Sequence, residues 1–385
     1  MSGPLTGYRL IEIAGIGPGP MAAMMLGDMG ADIIRVDRTK THVMDRFSEP
    51  KFNVHGRSRR SISVDLQKPE GTEVVLRLAA KADGMMEPFR PGVAERLGIG
   101  PDVCLARNPK LVYGRMTGWG QEGPLAKVAG HDQNYIALTG ALHAIGRKGQ
   151  KPVPPLNLVG DFGGGGMLLA FGMVCGLLES QKSGKGQVVD AAMVDGTALL
   201  LGGIFGMNGA GLWNDREHET NMLDGGAPFY DTYETSDGKY VSIGAIEPQF
   251  YAILIDKLGL KNETLPGQHD RAQWPAMKVK FEGLFKQKTR DEWCAIMEGT
   301  DICFAPILTM TEAPHHAAAK ARNAYIDVGG FAQPAPAPRF SRTKEAIQGP
   351  APKRGVDTDS VLAEAGFSSA EIAELKKAEI IGPIG

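Results

Sequence analysis

Short apolar runs alternate with helical stretches from the start of the chain. YRLIEIAG (8–15) has the continuous apolar character of a strand buried on both faces, MAAMMLGDMG (21–30) reads as a short helix ended by Gly30, and ADIIRVD (31–37) reads as a second strand. The alternation continues with EGTEVVLRLAAKADG (70–84) as a helix, MMEPFR (85–90) as a strand, and PKLVYGRMTGWG (109–120) as a strand ending in a glycine-rich turn. A further strand leads into a helix in SGKGQVVDAAMVDGT (183–197). This order predicts an α/β fold, a Rossmann-like parallel sheet with helices on both faces.

The texture then changes. APFYDTYETSDGKYVSIGAIE, Ala227 to Glu247, alternates with period two around a Ser-Asp-Gly turn, which predicts antiparallel hairpin strands. Pro248 to about Ile302 is helical in pattern, and GGFAQPAPAPRFSRT (329–343) is a proline-rich return segment without periodicity. SSAE, with Ser368 as N-cap and Glu371 three residues on, starts a C-terminal helix. At 385 residues the chain exceeds what one core usually serves. The expected division is residues 1–192 and 339–385 in a large α/β domain, 227–310 in a small α+β domain, with linkers at 193–226 and 311–338. TALLLGGIFGMNGAGLW (197–213) is apolar but shorter than a membrane span and broken by glycines; it reads as a buried helix leading into an inter-domain or inter-subunit connection.

A formal charge of −2 with 22% charged residues argues against a polyanion-binding surface or a disordered chain. The four cysteines are widely separated with no CxxC pair, which points away from a zinc site or disulfide framework and toward a reducing, intracellular compartment, the cytoplasm first. Neither a leader pattern at the start nor an SKL-type address in IIGPIG is legible, so a soluble protein is expected.

AGIGPGP (14–20), between the first strand and helix, imitates a dinucleotide-binding turn, with Asp37 ending the second strand. The third glycine of that fingerprint is Pro20 here, and Pro18 and Pro20 have no N–H to offer a pyrophosphate. The turn therefore reads as a tight βα connection, and Arg38 as a cation that a phosphate would accept from. AGHDQNYIALTG (129–140) gathers five polar groups before turning apolar. Taken singly, His131 reads as an ordinary surface or packed histidine, Asp161 as a helix N-cap, and Glu247 before Pro248 as another cap.

Together these stretches carry a resemblance. AGIGPGPMAAMMLGDMGADIIRVDR, RMTGWGQEGP, AGHDQNY, PLNLVGDFGGGG, GKGQVVDAAMVDG and NMLDGGAPFYDTYETSDGKYVSIGAIEPQFY resemble the 2-methylacyl-CoA racemase branch of the family III CoA-transferases, over about residues 3–310. Residues 43–57 and the C-terminal tail match less well. The resemblance implies His131 and Asp161 as the proton-transfer pair, with Glu247 orienting the histidine. It implies Ile16, Arg38, Arg90 and Arg96 along the CoA moiety, Val64, Asp65, Leu66 and Gln67 around its adenine, and Gly130, Asp132, Gln133, Asn134 and Tyr135 along the pantetheine. Tyr230 is a further polar group of that site, and Gln67 stands where the family often has Lys. Also implied are an interlocked homodimer with sites shared between subunits, an acyl-CoA substrate, and no nucleic-acid or membrane partner.

The chemistry agrees with two such residues. Inverting a centre next to a thioester carbonyl removes a proton on one face and returns one on the other, so one group starts as base and its partner as acid. No metal or redox cofactor is required; CoA is part of the substrate. With an α-proton on the order of 13 pKa units less acidic than the conjugate acid of the base, the gap is about 18 kcal/mol. A turnover of roughly 10 per second tolerates about 16 kcal/mol, so the enolate oxygen needs stabilisation, for which backbone N–H groups in GDFGGGG, at the start of the following helix, are the expected donors. Two rivals remain: CoA transfer through attack of Asp161 on the thioester, and acyl-CoA binding without catalysis. Met193, Met207 and Met222 offer a pliable surface for an acyl tail, or core filling.

Overall fold

Six strands form one parallel sheet: β1 (Arg9–Ile13), β2 (Asp32–Asp37), β3 (Arg60–Ser63), β4 (Gly84–Glu87), β5 (Val112–Thr117) and β6 (Gln187–Ala192), in the order β3-β2-β1-β4-β5-β6. The computed structural model describes residues 2–40 and 50–382; residues 43–49 of the poorly matching stretch, and the end of IIGPIG, lie outside them. Strands β4 and β5 are buried at every position, which is why their segments read as unbroken apolar runs. β3 was not separated by the sequence pattern: it is four residues, RSIS, with only one aliphatic side chain.

Helices cover both faces. α1 (Pro18–Asp28) returns from β1 to β2, α2 (Pro69–Ala79) from β3 toward β4, and α3 (Val93–Arg96) and α4 (Pro101–Arg107) precede β5. α5 (Asp132–Leu138) and the short α6 (Ala141–Ala144) follow, then a π-helical segment, Leu158–Met167, continues directly into α7 (Leu168–Ser183). This 26-residue unit is apolar enough, by length and composition, to cross a membrane. Here Leu169, Ala170, Met173 and Leu177 bury instead against β1, β4 and β5 side chains such as Leu10, Met86 and Val112. On the other face Ile11, Ile34, Ile62, Val75 and Leu78 pack together with Val361, Leu362 and Ile380 of the chain's end. α8 (Met193–Leu200) leads on from β6 and α9 (Gly202–Gly209) follows. α9 has no buried residue, so the apolar run 197–213 is not the buried helix its composition suggested; Leu199, Leu200, Phe205 and Leu212 are exposed.

The chain divides into two compact units, Met1–Thr139 with Leu156–Leu201 and Asn323–Gly385, and Gly140–Pro155 with Gly202–Arg322. Residues 140–155, which the sequence pattern left with the larger domain, are tied into the second unit by Arg147, whose guanidinium meets Asp231 at 2.7 Å and Glu219 at 3.3 Å. The second unit holds β7 (Tyr230–Glu234), β8 (Tyr240–Gly244) and β9 (Phe304–Pro306) in an antiparallel sheet, with α10 (Pro248–Lys257), α11 (Trp274–Phe285), α12 (Arg290–Met297) and α13 (Ala317–Ala321). Tyr233 stacks on Phe285 with ring centroids 4.9 Å apart, at the centre of this second core. The proline-rich return carries a short antiparallel pair, β10 (Tyr325–Asp327) with β11 (Ala332–Pro334), a strand its lack of periodicity concealed. α14 (Thr358–Glu364) and α15 (Ser369–Lys377) close the chain, α15 with the expected Ser368–Glu371 capping box.

Candidate active site

β1 and β4 are neighbours although two strands intervene in sequence, so chain direction across the sheet reverses between them; such a point opens a crevice beyond the strands' carboxyl ends. The AGIGPGP turn leaves β1 there. Gly17 N-caps α1 with φ +70°, a left-handed conformation that glycine adopts without strain, and a Cβ at Gly17 would lie 3.2 Å from Asp161 Oδ2. The turn that mimics a nucleotide fingerprint thus brings bare backbone up to Asp161.

Asp161 is the fourth residue of the π-helical segment, whose N-cap is Asn157. The N-cap role expected for Asp161 is corrected accordingly: its Oδ2 accepts from Asn157 Nδ2 at 3.2 Å, and its backbone N–H donates to Asp132 Oδ2 at 2.6 Å. The glycines that follow also act differently from the expectation. A Cβ on Gly164 would meet Thr197 N at 2.7 Å and Met193 O at 2.9 Å, and one on Gly165 would meet Pro18 Cβ at 3.0 Å. They permit α1 and α8 to close on the π-helical segment, rather than presenting N–H groups at a helix start, which lies earlier, at Leu158.

His131 is the N-cap of α5, exposed, with its N–H donating to Asn134 Oδ1 at 3.0 Å. One residue on, Asp132 is buried, with Oδ1 lacking a partner among the described residues. Tyr135, also buried, hydrogen-bonds the Gly130 carbonyl and sets its ring edge-on to Trp119 at 4.7 Å. Gln133 is exposed beside them. Burial raises the Asp161 carboxyl above the usual carboxylate range; the accepted Asn157 bond opposes this, the Asp132 charge adds to it, and His131 pulls it back. The Tyr135 phenol is likewise raised by burial and by Asp161, with Arg90 opposing. His131, Asp132, Tyr135, Arg90 and Asp161 therefore share one electrostatic neighbourhood in the first unit.

A cleft of about 740 Å³ lies in the same unit, and Ile16, Arg38, Val64, Asp65, Leu66 and Gln67 all line it. Arg96 does not: it is exposed on α3 and turns its guanidinium back to the Gly92 carbonyl at 3.2 Å. Behind the cleft Glu12 pairs with fully buried Arg59 and, at 3.1 Å, with Arg35. Sequence reasoning missed Gly17 and Asn157 at Asp161, and Lys353 and Arg354 at the cleft. Asn157 stands four residues before Asp161 and was within reach of helix spacing; the tail pair left no local signal. Met193, read as a pliable surface or as core filling, is core.

Glu247 and Tyr230 belong to the second unit. Glu247 is exposed at the N-cap of α10 and its carboxylate makes no capping bond there; it raises the nearby Cys303 thiol, after burial. Tyr230 begins β7, and a Cβ on Gly244 opposite would lie 3.7 Å from its ring. Among the described residues no group of three or more His, Cys, Asp or Glu side chains is arranged to hold a metal.

The model of CoA-transferase family III matches residues 5–358. Alpha-methylacyl-CoA racemase of Mus musculus is 47% identical over 382 residues, covering 98% of this chain and 97% of the mouse protein. The Homo sapiens protein of that name is 45% identical over 386 residues, covering 98% and 97%. Among solved structures, a CAIB/BAIF family protein from Brucella suis superposes with a TM-score of 0.80 at 26% identity, covering 95% of this chain and all of that one. This chain belongs to CoA-transferase family III.

Proposed function

We propose that the protein is a racemase that interconverts (2R)- and (2S)-2-methylacyl-CoA thioesters through an enolate. The observation that carries this reading is the electrostatic coupling of Asp161, a carboxyl raised above its ordinary range by burial, to His131, the exposed N-cap residue of α5. The racemase names of the mouse and human relatives support the same reaction.

In one direction neutral His131 takes the α-proton while protonated Asp161 delivers its proton to the opposite face; in the other, the carboxylate takes and the imidazolium returns. Charge that develops on the thioester oxygen is received by N–H groups in the first turn of the segment beginning at Leu158, where the helix dipole is positive. Asn157 orients the carboxyl and Asp132 fixes the backbone beneath it. The nucleotide end of CoA occupies the cleft lined by Ile16, Arg38 and the 64–67 loop. Glu247 is assigned to orient an imidazole, and the exposed Leu199, Leu200 and Phe205 to a homodimer contact. An intracellular setting fits the free, exposed Cys175 and Cys303 thiols.

The test is incubation of a (2S)-2-methylacyl-CoA with the protein in D2O, without any carboxylic acid, followed by proton NMR and chiral analysis. Deuterium at C2 with loss of optical purity is expected. Absence of exchange, with CoA moving to an added carboxylate, assigns Asp161 to nucleophilic transfer instead; binding without either reaction leaves a carrier.

A further inference from the structure

The far end of the chain reaches the cleft. Gly355 N donates to Ser61 Oγ at 2.8 Å, Ser61 N to Asp357 Oδ2 at 2.9 Å, and Asp65 N to the Ile380 carbonyl at 2.8 Å. These bonds hold residues 353 and 354 on the wall next to the 64–67 loop, and both line the cleft.

The charge distribution gives the pair a purpose. Among the described lining residues Arg35, Arg38, Lys40, Arg59, Lys353 and Arg354 are cationic and Asp37 and Asp65 acidic, in a chain of net charge −2. Arg35 and Arg59 pair with Glu12. Asp37 already accepts from Arg35 at 3.0 Å and Ser61 at 2.7 Å, and Arg354 stands farther off, 3.9 Å from it. The loop Val64-Asp65-Leu66-Gln67 contains no cation, and beside it Leu66, Phe89 and Leu97 are partly buried apolar side chains that line the cleft. On the tail side of the cleft the described residues offer Lys353 and Arg354 as cations.

We propose that Lys353 and Arg354 bind the 3′-phosphate of the CoA nucleotide. A phosphomonoester carries close to two negative charges at neutral pH, more than either phosphoryl of the diphosphate, and two adjacent cations match it best. The inference rests on the acyl-CoA reading of the cleft.

Calorimetric titration of the full-length protein with CoA and with 3′-dephospho-CoA tests it. The wild type is expected to prefer CoA by about tenfold or more, and Lys353→Ala/Arg354→Gln to reduce that preference to about twofold or less while holding dephospho-CoA at wild-type affinity. Because Arg354 neighbours Asp37, Lys353→Ala alone serves as a second variant: its side chain is exposed, and it should lose part of the preference with the fold intact. A full wild-type preference in the double variant, or equal weakening of both ligands, overturns the assignment. Wild type that shows the preference but incorporates no deuterium at C2 refutes the racemase reading and leaves the tail site standing; wild type that exchanges but does not distinguish the two nucleotides refutes the tail site alone.

Discussion

The Asp161 backbone N–H donates to Asp132 Oδ2 across 2.6 Å, so the backbone that carries one carboxyl is tied to the carboxyl of another helical element. The Asp132 charge contributes to the raised Asp161 carboxyl. Asp132→Asn retains an oxygen acceptor but removes that charge, which lets Asp161 ionise more readily. The limb of the kcat/KM profile that reports Asp161 should move to lower pH, with kcat down by about tenfold, in the range that orienting partners supply. An unmoved limb excludes Asp132 from tuning the acid.

Asp161 itself costs the fold stability. A carboxyl whose folded-state pKa is raised binds its proton more tightly folded than unfolded, so the fold loses stability as pH climbs from the unfolded pKa through the folded one, and loses nothing below both. Asp161→Asn, which cannot ionise, should therefore have a higher Tm than wild type at pH 7, the difference vanishing below the ordinary carboxylate range. Thermal melts of both proteins across pH measure this; equal Tm at neutral pH contradicts it.

His131→Gln separates the two faces of the reaction. Racemisation should fall by at least about 100-fold, the usual contribution of a positioned base. One enantiomer should still wash deuterium into C2 without inversion, because its proton belongs to Asp161. NMR on each pure enantiomer decides the matter, and exchange lost equally from both would argue against separate bases.

Gly164→Ala should destabilise the first unit by about 1–3 kcal/mol, since the new methyl group meets Thr197 N and Oγ1, each at 2.7 Å, and none of these can swing away as a long side chain would. Asp161 lies three residues earlier on the same segment, so activity should fall with it. Urea denaturation and kcat measured on one sample check both effects; wild-type stability would place the reason for the glycine elsewhere.

Residues that act through local period or composition are readable in the sequence alone. The buried parallel strands announced themselves as apolar runs, and the β7–β8 hairpin as alternation about a turn. His131 and Asp161 came from a resemblance, and local rules placed Asp161 one helical turn from where it sits: a capping preference describes an α-helix, whereas this segment is π-helical and is capped by Asn157. The glycine run was misread for a related reason, because its use depends on Pro18, Met193 and Thr197, which contact it from elements distant in sequence. β3 and the tail residues Lys353 and Arg354 were silent for the same cause. Their role is set by what lies across from them, and a single chain read linearly carries no record of that.

The bonds between β3 and the tail also govern the order in which the molecule can be made. β3 is the edge of the sheet, and its outward groups, Ser61 N and O and Ser63 N, are bonded by Asp357 and Thr358 among the described residues. A ribosome delivers those partners nearly 300 residues after the strand itself, and the whole stretch Gly202–Arg322 emerges in between. The second unit can therefore finish folding while the first still presents an open strand, the kind of edge that recruits stray chains. Nascent protein should be most vulnerable in that interval, and truncation before Asp357 should be read out as aggregation rather than as a simple loss of binding.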